Sequence, residues 1–456
     1  MPRNTAAPPA QRSSIRKISL LALIEFATFG ALVAPMAAAL SLKVLELVPS
    51  GQKEASVALV TAVGGATALI TNPLFGGLSD RTRSRFGRRR PWIFGGILVG
   101  LLASGLMLVS TSIPMLVIAW ALAQAGYNAV FASLNAMLAE QIPDHERGKA
   151  SGIFGAASAL GPLSAYAIAA LGAGSLPIMF LAMPALAAVI VVITCLIVKD
   201  PPPTSASTPR MSISAIFTSF IFDPRQAPNF AFLALQRFIM QTGYTLVGGF
   251  GLFFIMLRLK MPVEEATQLS LMTAMFSMVL MATVSWAVGM FVSRRGSYGG
   301  TLFVSIGLMI TSLVLTAFTD ELTVYLLGVA LSGIAMGGYY SVDLALAMRA
   351  LPKGNEGKFL GIFNMAKTLP QTIAPAMAPA LLLIGSGDPI AGGEQNYLAL
   401  YLCAAAAVLL SCLAVLGFRT ILSARAGEVE AGEIEAASLS VPEAAPVAER
   451  IPAERS

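Results

Sequence analysis

Long apolar runs separated by short polar ones make up most of this chain. A helix needs roughly 20 mainly apolar residues to cross the hydrocarbon core of a bilayer. Twelve stretches meet that length, at 18–47, 54–78, 91–110, 114–139, 149–172, 176–198, 228–257, 265–291, 299–318, 322–348, 358–386 and 396–420. In lipid every backbone polar group has to be satisfied within the protein, so apolar runs of this length predict helices. One break in the pattern organises the rest. Residues 199–227 are rich in proline and serine and divide the runs into two sets of six, 18–198 and 228–420. Within that linker the stretch MSISAIFTSFIF is expected to lie as a short amphipathic helix on the membrane surface. Residues 1–17 form a polar tail, and residues 421–456 alternate glutamate and alanine with prolines, a composition that predicts disorder. The expected fold is therefore an all-α membrane protein with twelve transmembrane helices in two six-helix halves.

Composition supports this and removes several function classes. The chain is 56% hydrophobic and 12% charged, well above the apolar share of a soluble domain, with a mean hydropathy of +0.75. Cys195, Cys403 and Cys412 all fall in apolar runs, so neither a disulfide framework nor metal-ligand spacing is present. No Walker loop, no His/Cys cluster and no paired catalytic carboxylates occur. An enzyme, a bound cofactor, a metal centre and ATP-driven pumping are not expected. The lone histidine, His145, falls in the polar PDHERGK stretch and reads as a solvated loop residue.

Charge placement gives the orientation. The stretch from Gly76 to Pro91, GGLSDRTRSRFGRRRP, holds six arginines and the single carboxylate Asp80 between two apolar runs. Arginine is costly to move across a bilayer, so such a loop stays on the cytoplasmic side. With both termini cytoplasmic, 24 of the 30 Lys/Arg residues face that side; Lys43, Lys53, Arg258 and Lys260 face the other, and Arg237 and Lys367 lie within spans. The net charge of +6 thus points to orientation in a cell membrane and not to nucleic acid. The N-terminal stretch PRNTAAPPAQRSSIRK is polar and basic with no small-residue cleavage site after a short apolar core, so it reads as a retained cytoplasmic tail.

The core of the loop, Gly76-x-x-x-Asp80-Arg81, resembles the loop-2/3 signature of the major facilitator superfamily. The longer run from Asn72 through Arg81, followed by Ser84-Arg85-Phe86-Gly87-Arg88-Arg89-Arg90-Pro91-Trp92-Ile93, is similar to sucrose-type transporters and to the glycoside–pentoside–hexuronide cation symporters. The resemblance implies a conformational-switch role for Gly76, Asp80, Arg81, Arg85, Gly87, Arg88, Arg89 and Arg90. Gly76 is expected to let helices approach closely, and Asp80 to pair with a helix end or arginine that shifts during the cycle. Two departures stand against sucrose itself. Plant sucrose transporters carry an acid in span 4 and an arginine in span 5, whereas here Glu140 is only at the inner edge of span 4 and span 5 has no arginine. Gly161-Pro162 partly resembles the Gly-Pro element of proton-driven antiporters, but Ser164 and Ala165 stand where glycines are expected, and a packing kink is the simpler reading.

An internal repeat supports two related halves. Gly148-Lys149, Gly152-Ile153-Phe154, Ala157 and Leu160 recur as Gly357-Lys358, Gly361-Ile362-Phe363, Ala366 and Leu369. Leu21-Ala22-Leu23 and Phe26 recur as Leu233-Ala234-Leu235 and Phe238, and the loop motif has a weak echo at Gly289–Arg295. Parallel repeats of six spans with substrate between them are the plan of major facilitator transporters.

Four charges lie well inside spans: Glu25, Arg237, Asp343 and Lys367. Charges there are expensive and face a partner or a wet cavity. Glu25 and Arg237 occupy matching positions of the repeat, which makes a pair across the two halves one reading; snorkelling to the interface or pairing within each half is the other. An Asp343–Lys367 pair is the structural alternative to a functional Asp343. Asn72, Gln124, Tyr127, Asn128, Asn135, Gln236, Gln241, Tyr244, Tyr339, Tyr340, Asn364 and Gln371 supply hydroxyl and amide groups suited to a polar ligand, or to hydrogen bonds between helices.

These features predict a monomeric secondary transporter moving a small polar solute by alternating access, coupled to a proton or cation and contacting only lipid besides. A sugar or glycoside is the expected solute class. Export of an amphipathic compound by proton antiport, or a non-transporting assembly factor on the same fold, are the alternatives.

Overall fold

The computed structural model describes residues 15–142, 147–172, 175–198, 200, 223–225, 227–295, 298–351, 356–418, 420 and 422. The linker helix expected at 211–222, His145 and the polar tails, apart from residues 15–17 and 422, lie outside the described residues.

Among the described residues all regular structure is helical, and ten helices are long and apolar enough to cross a membrane. Span 1 runs from Ile15 to Leu47 as one rod, with a π-helical stretch at Pro35–Ala39 where Pro35 brings no N–H to the ladder. Spans 2 to 6 are the helices Lys53–Arg81, Arg90–Leu108, Ile113–Gln141, Arg147–Leu171 and Leu176–Ile197. Spans 8, 9, 10 and 12 are Val263–Arg295, Tyr298–Phe318, Leu322–Ala350 and Tyr397–Val415.

Two expected spans are broken. Span 7 is a pair of helices, Pro228–Gly248 and Gly251–Arg258, bent by 52° at a break rich in glycine, the residue that weakens helices most after proline. The run 358–386, expected as one helix, is two: Glu356–Thr368 and Pro370–Leu382. Neither is long enough to span alone. Proline cannot donate to the ladder and its ring presses on the carbonyl four residues back, so the helix is interrupted at Pro370.

The packing repeats with the sequence. In the first half span 1 packs on spans 5 and 6, span 2 on span 4, and span 3 on spans 4 and 6. Every one of these neighbours recurs six spans later: span 7 packs on 11 and 12, span 8 on 10, and span 9 on 10 and 12. The halves meet through span 2 on the second helix of span 11 and through span 5 on span 8. Those two contacts exchange under the same six-span shift, as a pseudo-twofold axis requires. Leu98 and Leu102 on span 3, Val189 and Leu196 on span 6, and Leu409 and Leu413 on span 12 are exposed, marking an apolar outer surface suited to lipid.

Candidate functional site

The four intramembrane charges find their partners within their own halves. Arg237 on span 7 pairs with Asp343 on span 10, Nη1 to Oδ2 at 3.1 Å, and both are buried. Of the two readings of Glu25 and Arg237, the structure has partners within each half and not the pair across the halves. The plane of Arg237 also lies 3.8 Å from the ring centroid of Phe363 on span 11, so a cation–π contact holds its other face. Lys367 does not pair with Asp343 either. Its Nζ sits 5.3 Å from the ring centroid of Tyr340, within electrostatic reach of both Arg237 and Asp343.

Glu25 is buried on span 1 and accepts one hydrogen bond, from Ser158 Oγ on span 5 at 3.0 Å. Its Oε2 has no hydrogen-bond partner among the described residues. Ser158 and Lys367 occupy matching places in the two repeats, each counted from the Gly-Ile-Phe motif of its span. The two halves therefore use one backbone plan for opposite chemistry: an acid beside a hydroxyl in the first, and two cations beside a carboxylate in the second.

The polar residues gather in two groups. In the first half Asn72 Nδ2 on span 2 donates to Asn128 Oδ1 on span 4 at 3.1 Å, and Asn128 Nδ2 donates to the Gln124 carbonyl at 2.8 Å. In the second half Gln241 Nε2 donates to the Tyr340 hydroxyl at 2.9 Å, and the Tyr339 hydroxyl donates to Gln236 Oε1 at 3.2 Å. Gln236 Nε2, Arg237 Nε and Asp343 Oδ1 are buried beside these bonds without a hydrogen-bond partner among the described residues. Tyr166 of span 5 lies within electrostatic reach of Tyr244, and Tyr244 of Tyr340. Asn135, Asn364 and Gln371 are exposed. Tyr127 is brought to neither group; it is fully buried between spans 3 and 4, its hydroxyl 3.3 Å from Ser104 Oγ.

The arginine loop is built around Arg89, which is buried to 2% exposure at the start of span 3. Its guanidinium is shared by Asp80 at the end of span 2 and Glu140 at the end of span 4, and it also donates to Ser79 Oγ at 2.5 Å. Arg88 reaches the same Glu140. Asp200, beyond the end of span 6, accepts from the backbone N–H of Arg89 at 2.7 Å and of Arg90 at 3.1 Å. A carboxylate at a helix start satisfies orphan N–H groups and faces the positive end of the dipole. Arg90 closes the clasp on the Val198 carbonyl. Gly87 has φ +101°, and a Cβ there would meet Asp200, so the turn needs glycine on both counts. Gly76 corrects the sequence reading: a Cβ there would meet nothing within 4 Å, so it is not a point of close helix approach. Arg81 and Arg85 are exposed, Arg85 lying 4.8 Å from the ring centroid of Phe86.

Residues 18–375 match the family described as Major Facilitator Superfamily. The chain belongs to that superfamily. It is an integral membrane transporter and not an enzyme. Solved superfamily structures share the fold at low identity. The nucleoside transporter NupG aligns with a TM-score of 0.67 at 15% identity, covering 90% of this chain and 99% of that one. The D-xylose-proton symporter aligns at 0.67 and 19%, covering 88% and 97%. A bacterial homolog of the human lysosomal transporter Spinster aligns at 0.68 and 15%, covering 89% and 96%. Among curated proteins, solute carrier family 45 member 3 of Mus musculus is 31% identical over 147 residues, which are 29% of this chain and 26% of that protein. The Macaca fascicularis protein of the same name is 39% identical over 89 residues, 19% of this chain and 16% of that one. The matched stretch is thus about a quarter or less of these relatives' length.

Several members of this candidate site were not singled out from the sequence. Ser158 was hidden in a small-residue helix, although its register in the repeat marks it. Glu140 stood out only as the acid at the inner edge of span 4. Asp200 read as part of the linker, more than a hundred residues from the backbone it caps.

Proposed function

We propose that this chain is a proton- or cation-coupled secondary transporter of a small polar solute, with a sugar or glycoside as the solute class. It works by alternating access in the cell membrane, with the arginine loop and both termini cytoplasmic. The observation that carries the reading is the group of buried Arg237, Asp343, Gln236, Gln241 and Tyr339 with half-buried Tyr340, in which three polar atoms lack a hydrogen-bond partner among the described residues. Buried polar atoms are ordinarily bonded, and unmatched donors beside an acceptor suit a hydroxyl-bearing ligand. Sites for such ligands combine a few placed polar groups with aromatic walls, as Tyr339, Tyr340 and Phe363 supply here.

Glu25 is the coupling carboxylate in this reading. It has a hydroxyl neighbour and no cation at ion-pair distance among the described residues, and an isolated buried carboxylate is relieved by taking up a proton. Asp343, committed to Arg237, holds the binding group together instead. Uptake of radiolabelled mono- and disaccharides into vesicles, with and without an imposed proton gradient, tests the proposal. Gradient-driven accumulation of at least one saccharide is expected. Accumulation of none, alongside export of amphipathic compounds, would replace it with the antiport reading.

A further inference from the structure

Among the described residues the two ends of the molecule are closed to different degrees. At the end away from the arginine loop, spans 2, 7 and 12 converge. Tyr397, the first residue of span 12, donates its hydroxyl to Glu54 Oε1 at the start of span 2, at 3.1 Å. Tyr397 and Glu54 are 1% and 3% exposed, so this is a buried bond between the two halves. Next to it, Lys53 Nζ lies 5.1 Å from the ring centroid of Phe253 on the outer helix of span 7.

Tyr397 is itself held from behind. Asp388, in the turn before span 12, accepts at Oδ1 from the backbone N–H of Ile390 (2.9 Å) and Ala391 (3.2 Å). At Oδ2 it accepts from Tyr397 N at 3.1 Å and from Arg258 Nε at 2.9 Å. Arg258 also donates Nη1 to the Thr319 carbonyl at 3.1 Å. Both side chains of this pair are 0% exposed, so Arg258, read from the sequence as one of the outer-loop cations, is buried. Such a pair is strongly coupled because removing one partner strands the other.

The closure extends inward to Gly65, where a Cβ would meet the Thr372 Cα of span 11 at 3.1 Å. Gly65 is twelve residues into span 2, about 18 Å at roughly 1.5 Å per residue. Span 2 packs here on the second helix of span 11. Asn72 lies seven residues further along span 2, and Asn364 lies on the first helix of span 11, before the break at Pro370. Asn72, Asn364, Thr368 and Gln371 are all exposed there. The bonds of Arg88, Arg89, Arg90 and Asp200 at that end stay within the first half.

We propose that Glu54 and Tyr397 form a latch that holds the two halves shut at the end opposite the arginine loop, with the Arg258–Asp388 pair as its rigid mount. Its place in a transport cycle rests on the alternating-access reading, but its test needs no substrate. Cysteine at Thr372 and, separately, at Asn364 is introduced into the purified full chain, and reactivity with a bulky maleimide is compared, with the chain lacking the added cysteine as background. In the wild-type latch Asn364→Cys reacts fast and Thr372→Cys slowly. Tyr397→Phe, or Glu54→Ala, is expected to raise the rate at Thr372→Cys roughly tenfold or more and to lower it at Asn364→Cys, as loss of a hydrogen bond to a charged acceptor shifts a two-state equilibrium. Glu54→Gln keeps an acceptor for the tyrosine and is expected to stay near wild type, which also gives the comparison if Tyr397→Phe does not insert. Unchanged rates overturn the latch, and so do rates that rise at both sites, since those report general loosening. Loss of saccharide uptake with the reciprocal shift intact would count against the transport reading alone.

Discussion

Arg237 is bound to Asp343 and not to Glu25: Nη1 and Oδ2 are 3.1 Å apart, both buried, within the second half of the molecule. The pair joins the first helix of span 7 to span 10, and so fixes the side chains around it. Among the described residues Glu25 has only Ser158 as a hydrogen-bond partner. In the proposed function that division gives binding to one half and coupling to the other.

Breaking the buried pair is expected to cost more than removing it. Arg237→Ala alone strands Asp343, and Asp343→Ala alone strands Arg237; each should lower stability by about 3–5 kcal/mol. The double variant should recover part of that loss. Thermal unfolding of the three proteins in one detergent checks this, and additive losses would count against the pair.

At the arginine loop, Gly87→Ala is expected to destabilise by about 1–3 kcal/mol, because it combines a strained φ with a clash on Asp200. Gly76→Ala should leave stability unchanged, since its Cβ enters open space. Paired melting curves compare the two. Equal effects would refute the clasp.

Asp80→Asn and Glu140→Gln each leave Arg89 with one carboxylate. Either change is expected to slow transport with near-normal expression. The double change should be far worse, because a buried arginine then has no anion. Initial uptake rates normalised to protein level test this, and wild-type rates in the double variant would remove the loop from the cycle.

Sidedness is tested at Ser84, in the arginine loop. Ser84→Cys should react with a membrane-impermeant thiol reagent only once the cytoplasmic face is opened. Labelling of intact cells would invert the proposed topology.

Much of the fold was readable because it rests on local properties. Span length, the basic loop and the repeated Gly-Ile-Phe segments are features of neighbouring residues, and bilayer physics acts on them directly. The site was less legible. Whether Arg237 meets Glu25 or Asp343 depends on the rotation of span 7 about its axis, which an apolar helix does not encode in a strong polar stripe. The Arg258–Asp388 mount joins residues 130 apart, and its arginine ends an apolar helix in the way a solvated cation would. Gly76 fitted a motif whose glycine was given a packing role, yet it faces open space here. Pro370 was visible, but that it would divide span 11 was not read from a run of sufficient apolar length.

In the proposed function Glu25 carries the coupled proton. The most direct measurement uses vesicles and whichever saccharide the uptake panel identifies, comparing gradient-driven accumulation with solute-for-solute exchange in the wild type and in Glu25→Gln. Exchange requires no net proton movement, whereas accumulation does. Glu25→Gln is predicted to exchange solute at close to the wild-type rate and to accumulate none against a concentration gradient. Accumulation by Glu25→Gln at the wild-type level would contradict the account and place coupling elsewhere.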